Sequence, residues 1–337
     1  MIRTLLAALA LAFAATTAQA QSPAAPSFDG LKVMFCGTSG PLPVVGRAKP
    51  CTAIQAGGSI YLVDIGPEAT ENMMLWRLPL ATTKAVFITH LHSDHIGDLG
   101  EFNLQSWVAG RSAPLAVVGP AGVDKLAKGL NLAYENDHGF RKAHHEHGAF
   151  KFDLNAGLLQ PKIVTIPKPD GTAPAWKDGD LTVTAIRVHH DPIDPAFAYR
   201  FDYKGRSVVI SGDTIKWAPL AVAAKGADVL VHEAQNNAMT MQMSQGLAML
   251  GNARMSSLMA DTVTYHTQPV EAADLARAAG VKALVLSHLT QAGLPFFTPE
   301  TFTKGMDDGG KLDWRLAKDG MTIELPAGSQ EVRFGSY

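Results

Sequence analysis

The run Thr89-His90-Leu91-His92-Ser93-Asp94-His95-Ile96-Gly97-Asp98 places three imidazoles and a carboxylate within six positions, His90 to His95. A hydrophobic core does not accept such a cluster, because buried polar groups without partners are costly. Something must take up its lone pairs, and a metal ion is the group that fits. The residues just before it, Ala85-Val86-Phe87-Ile88, form a short apolar, partly β-branched run of the kind buried in a sheet. Side chains that begin where such a strand ends point into open space. His90 and His92 leave the same face of extended backbone, while Asp94 and His95 lie beyond the bend, where the chain turns back as a helix. One ion suits the first pair and a second ion the other. Imidazole with carboxylate matches zinc, with manganese or iron as alternatives.

The same arrangement recurs downstream. Val208-Val209-Ile210 runs into Asp213, and Ala283 to Leu286 runs into His288. Strand ends are where open α/β sheets hold their ligands. At His189-His190 the residues alone leave the choice open, since neighbours in a strand face opposite ways and one of them reaches the site.

His90-Leu91-His92-Ser93-Asp94-His95 resembles the HxHxDH signature of the metallo-β-lactamase fold hydrolases. Further markers follow in order. Phe35-Cys36-Gly37-Thr38-Ser39-Gly40-Pro41 resembles the first strand and its glycine-rich turn. Tyr61-Leu62-Val63-Asp64-Ile65-Gly66 resembles the strand whose aspartate, here Asp64, orients a ligand histidine. Val188 to Ile193, Ser211-Gly212-Asp213-Thr214 and Leu284 to His288 resemble the later ligand segments. The resemblance implies an α/β fold, the four-layer αβ/βα sandwich, and a metal-ligand set of His90, His92, Asp94, His95, His190, Asp213 and His288. His190 is preferred over His189 by matching His190-Asp191-Pro192-Ile193 to the family pattern.

Within the family, Glu233 in Val231-His232-Glu233-Ala234 and His266 in Thr264-Tyr265-His266-Thr267 resemble markers of the ribonuclease Z and arylsulfatase branch, with His266 as proton donor and Glu233 as the acid that holds it. Asp94, Glu233 and His266 are the expected catalytic set. The chain departs from ribonuclease Z in one respect: 22 residues lie between His190 and Asp213, too few for the long arm those enzymes use to grip tRNA.

Charge points the same way, with Lys and Arg numbering 29 against 31 Asp and Glu. A mildly acidic chain is a poor general binder of nucleic acid. Met1 to Ala20 reads as a secretory leader, with Arg3 as its charged start, Leu5 to Ala15 as its apolar stretch and Ala18-Gln19-Ala20 as its cleavage site. Residues 21–337 then form one hydrolase domain, periplasmic or secreted, and no later run is apolar enough to span a bilayer. Together these readings predict an exported, dinuclear metal-dependent hydrolase of a small sulfuric or phosphoric ester, an aryl sulfate or phosphodiester, with a small-molecule substrate and no nucleic-acid partner. A lactonase acting on acyl-homoserine lactones is the alternative, followed by a ribonuclease Z-like phosphodiesterase or a non-catalytic metal-binding protein. The oligomeric state is open, a homodimer being compatible with the chain.

Several smaller expectations complete the picture. Leu181 to Val188, Ala196 to Tyr203 and Arg206 to Ile210 read as strands, the last two joined by a Lys204-Gly205 turn. Pro269 to Ala279 reads as a helix stopped by Gly280. Pro167 to Gly179 reads as a surface loop, and Trp314 to Leu325 as a closing hairpin around Lys318-Asp319-Gly320. His144 and His147 read as an exposed polar segment near the mouth of the site. Cys36 and Cys51 are the two cysteines. They allow either a disulfide or two buried thiols. Met239, Met241, Met243, Met249, Met255 and Met259 make up half of the chain's 12 methionines. Met is adaptable at apolar surfaces, so this stretch is expected to cap the metal site and receive the apolar part of a substrate.

Overall fold

The computed structural model describes residues 28–337; the leader expected over Met1 to Ala20 lies outside the described residues. Alternation of side chains along the strands sets the layering. On one strand Phe197, Tyr199, Phe201 and Tyr203 enter the central core, while Ala196 and Ala198 face the other way, beneath helices. A strand with apolar residues on both faces must be covered on both. Large residues fill the space between two sheets here, and small ones let helices approach.

The strands are β1 (Gly30–Gly37), β2 (Cys51–Ala56), β3 (Ser59–Val63), β4 (Thr83–Phe87), β5 (Leu115–Gly119), β6 (Leu159–Ile163), β7 (Thr172–Asp178) and β8 (Leu181–His190). They continue with β9 (Ile193–Tyr203), β10 (Arg206–Ile210), β11 (Val229–Ala234), β12 (Ala283–Leu289), β13 (Trp314–Leu316), β14 (Met321–Pro326) and β15 (Arg333–Ser336). Among the described residues they form two sheets, ordered β15-β14-β1-β2-β3-β4-β5-β6 and β13-β12-β11-β10-β9-β8-β7. One core lies between the sheets, with Phe87 packed edge-on against Phe201 at 5.3 Å. Two further cores join each sheet to its outer helices, one around Leu62, Val86 and Phe102, the other around Leu230, Leu284 and Ala276. This is the four-layer αβ/βα sandwich.

The helix Pro269–Ala279 lies where the sequence places it, entered by a Gln268/Glu271 capping box and closed by Gly280 in the left-handed region. Two expectations are corrected. Pro167 to Gly179 is not all loop, because Thr172–Asp178 pairs antiparallel with β8 as the edge strand β7. Pro174 concealed it, yet an edge strand tolerates proline at a register shift, and one falls between Pro174 and Trp176. Trp314 to Leu325 is not a hairpin either. β13 runs parallel to β12 in one sheet while β14 pairs with β1 in the other, so the turn at Lys318-Asp319-Gly320 crosses between sheets. Asp319 anchors that crossing by accepting hydrogen bonds from Ala48 N, Thr38 Oγ1 and Asn72 Nδ2. Cys36 and Cys51 form a disulfide between the neighbouring strands β1 and β2.

A buried ion cluster ties the far end of the sandwich together. Asp228, at the start of β11, accepts from Arg206 Nε and Nη2 at 3.0 and 2.9 Å, from Lys282 Nζ at 2.7 Å and from Ser207 N at 2.8 Å. Burial opposes the ionised carboxylate, but the hydrogen bonds from Arg206 and Lys282 hold Asp228 below the usual carboxylate range. Asp228→Ala leaves the buried Arg206 guanidinium unpaired, and the expected loss is about 3 kcal/mol of stability. Urea unfolding at neutral pH checks this, and an unchanged midpoint would contradict it.

Candidate metal centre

β3, β4, β10, β11 and β12 run parallel within their sheets, and β8 shares the direction of β10 through two antiparallel pairings. Their carboxyl ends therefore open on one edge, and each delivers a polar side chain there. From β4 the chain passes Thr89 and His90, then enters the short helix Ser93–Ile96 that carries Asp94 and His95.

Two of the later residues arrive through irregular backbone. The β11–β12 register jumps from Glu233↔Ser287 to Ala234↔Leu289, which leaves His288 unpaired with φ 51°. Bulges of this kind re-aim a side chain next to functional sites. The β8–β9 register shifts between Val188 and His190. It turns His190 inward, where Nδ1 donates to the Tyr265 carbonyl at 3.0 Å, and leaves His189 outside, stacked on Trp217 at 5.4 Å. Asp64 also has a left-handed backbone, φ 58°. Its carboxylate accepts from Thr89 N and Thr89 Oγ1 at 2.8 Å and from His95 Nδ1 at 2.7 Å, so the histidine it orients is His95. Close approach explains two glycines: a Cβ on Gly66 would sit 2.0 Å from the Asp94 carbonyl oxygen, and one on Gly212 2.7 Å from that of Phe197.

All seven expected ligands converge. Among the described residues, the groups able to hold an ion are His90 with His92 and His190, His90 with His95 and Asp213, Asp94 with His95 and His288, and Asp213 with His266 and His288. Asp213 is the hub, its Oδ2 lying 3.3 Å from His288 Nε2, 3.4 Å from His95 Nε2 and 3.9 Å from both His90 Nε2 and His190 Nε2. His144 and His147 belong to none of these groups and are exposed.

The donor set fits divalent ions. His95 Nε2, His190 Nε2, Asp213 Oδ1 and both ring nitrogens of His288 are buried without a hydrogen-bond partner among the described residues. Such orphaned atoms cost about 1–3 kcal/mol each unless something coordinates them. The protonation states are mixed: burial lowers His95, but Asp213 and Asp64 outweigh it and hold that imidazole well above its ordinary range. Burial and the neighbouring His95 push the His90 imidazole well below its ordinary range, towards the neutral, ligating form. Burial works against ionised Asp213, yet His288 and His95 hold it well below the usual carboxylate range.

Beside the cluster stands a second device. His266 Nδ1 donates to Glu233 Oε1 at 2.9 Å, and Thr214 N and Thr267 N donate to the same oxygen at 3.1 and 3.3 Å. Burial pulls the His266 imidazole down, but the Glu233 carboxylate outweighs it and raises the group to about 9. His232 serves differently, buried with Nδ1 on the Glu233 carbonyl.

A cavity of about 250 Å³ opens over His92, Asp94, Asp213, His266 and His288. Leu42, Met243, Met259, Tyr265 and Thr290 also line it. Met243 and Met259 come from a helical hairpin, Asn237–Met249 and Ala253–Asp261, capped by Asn236 and Asn252. Of the other methionines in that stretch, Met239 is buried in the core and Met249 faces solvent. Sequence reading did not single out Leu42 or Thr290; adjacency to the glycine-rich turn and to His288 was the available signal.

A family model described as a beta-lactamase superfamily domain matches residues 60–289. The chain is 34% identical over 265 residues to a protein named Ribonuclease Z from Mycolicibacterium paratuberculosis, covering 78% of this chain and 87% of that one. The chain belongs to the metallo-β-lactamase fold hydrolases, in the ribonuclease Z branch. A second Ribonuclease Z, from Mycobacterium sp. strain KMS, is 33% identical over 287 residues, 85% of this chain and 88% of the relative. The human short-form tRNase Z shares the fold with a TM-score of 0.62 at 21% identity, covering 88% of this chain and 99% of that structure. The metallo-β-lactamase fold protein YhfI from Bacillus subtilis does so at 0.62 and 20%, covering 88% and 100%.

These relatives overturn the expected function. Identity of a third with ribonucleases Z, over most of both chains, replaces the arylsulfatase-like hydrolase of small esters and its lactonase alternative. It also removes the ground for excluding a nucleic-acid partner. The physical reason for the error is that net charge averages the whole surface, whereas an anionic substrate meets the local field of the site, where cations held by the cluster would dominate.

Proposed function

We propose that this chain is a divalent-metal phosphodiesterase of the ribonuclease Z kind, adding water across a P–O bond of RNA to leave a phosphomonoester and an alcohol. The observation that carries the reading is the Glu233–His266 pair, 2.9 Å apart, beside the ligand cluster. A phosphodiester expels an alkoxide, which is a poor leaving group until it gains a proton, and a protonated imidazole at the site supplies one. The names of the relatives support RNA as the substrate.

His90, His92 and His190 would hold one ion and Asp94, His95 and His288 the other, with Asp213 standing between the two groups. Zinc is the first choice for the N/O donor set, with manganese or iron as alternatives. When bound, such ions lower the pKa of water and polarise a phosphoryl oxygen. The protein does the rest. Asp64 fixes the ring and tautomer of His95, the Tyr265 carbonyl does the same for His190, and Asp94 lines the open cavity beside them. Glu233 aligns His266 and keeps it charged.

Zinc- or manganese-loaded protein should convert a tRNA transcript or an unstructured RNA into discrete products, and a chelator should stop the reaction. Failure of the metal-loaded protein to cleave either RNA would sink the reading.

A further inference from the structure

Two unlike kinds of residue line the cavity: the metal-ligating and proton-donating groups, and an apolar wall of Leu42 on the loop after β1, Met243 and Met259 on the helical hairpin, and Tyr265, whose ring packs beside His190 and His266 at 5.4 and 4.9 Å. Among the described residues no lysine or arginine lines it. The hairpin, residues 237–261, carries only Arg254 and Asp261 as charged groups. At about 250 Å³ the space lies at the small end of ligand sites. It takes one flat group beside one phosphate and has no room for a paired helix. Thr290 Oγ1 is buried without a partner on the same lining.

We infer that this wall is a subsite for one unpaired nucleobase next to the scissile phosphate; the inference rests on the phosphodiesterase reading. A base joined to a phosphodiester has the chemistry of the two kinds of lining, a planar uncharged face beside a charged centre. Aromatic rings stack any base, and methionine adapts to its outline. An unstacked base in single-stranded RNA can enter such a slot, whereas a paired one cannot. Without cationic side chains along the wall, affinity comes from the base and a single phosphate, so binding of a short substrate depends weakly on salt.

The test compares two chromogenic phosphodiesters, the p-nitrophenyl ester of uridine 5′-phosphate and methyl p-nitrophenyl phosphate, in zinc-loaded wild type, Met243→Ala, Tyr265→Ala and Tyr265→Phe. The kcat/KM ratio of the nucleoside ester to the methyl ester is expected to fall about tenfold in both alanine variants, within the range for losing a base stack. Tyr265→Phe should restore it. Independently of catalysis, saturation-transfer NMR should detect uridine on the metal-free wild type and not on Met243→Ala, with thermal unfolding confirming that the variants are folded. An unchanged ratio, or uridine binding indifferent to both alanine variants, overturns the subsite. Absence of turnover of both esters in the wild type counts against the phosphodiesterase reading, and the uridine measurement then decides the subsite alone.

Discussion

Asp213→Ala is expected to abolish turnover while leaving the protein folded. The carboxylate lies within 3.9 Å of four imidazole nitrogens, from His90, His95, His190 and His288, and it is the group that joins the two halves of the ligand set. With it gone, four buried rings face one another and two cations would have to share a site stripped of its central charge. Metal ions contribute several kcal/mol of transition-state stabilisation. Their loss or displacement should therefore lower kcat/KM by about 10³-fold or more. The side chain is almost wholly buried but is a carboxylate at a strand end and not a member of an apolar core, so the sandwich should survive its removal. Metal content by mass spectrometry should drop below two ions per chain. His189→Ala is the matched control, since that ring lies outside the cluster and stacks on Trp217; it should keep both metal and rate. Full metal occupancy with near-normal rate in Asp213→Ala would remove Asp213 from the site.

The parts of this site legible in the sequence are those set by local rules. An apolar strand followed at once by histidine and aspartate reads as a ligand edge, because a strand end is where the backbone stops burying its side chains. His90 to His95 and Asp213 follow that rule, whereas His288 is re-aimed by a bulge inside β12. The choice between His189 and His190 did not yield to it. A one-residue bulge decides which ring turns inward, and a bulge is set by pairing with β9, which the sequence of β8 alone does not specify. Edge strand β7 was hidden by Pro174 for a related reason, since whether proline breaks a strand depends on which side is unpaired. The supposed hairpin from Trp314 to Leu325 failed because its halves find partners in different sheets. Substrate was least legible. It depends on loops and a hairpin that meet only in space, Leu42 against Met243 and Met259, and on a local field that a whole-chain charge count does not report.

The second large effect separates proton donation from metal binding. His266→Ala removes the imidazole that Glu233 holds through Nδ1, and with it the proton available at Nε2. General acid catalysis contributes about 10²–10⁴-fold. The loss should fall in that range for RNA, whose leaving alkoxide needs the proton, and be far smaller for a p-nitrophenyl ester, whose phenolate leaves without help. Glu233→Gln should reproduce the pattern more weakly, because a neutral amide still aligns the ring but no longer supports its charge. Metal content is the discriminating readout, since His266 stands within ligand distance of Asp213 and His288. If His266 is a proton donor, both ions stay and the two substrates diverge. Equal losses on both substrates, with one ion gone, would make His266 a ligand instead and leave the alkoxide without its acid.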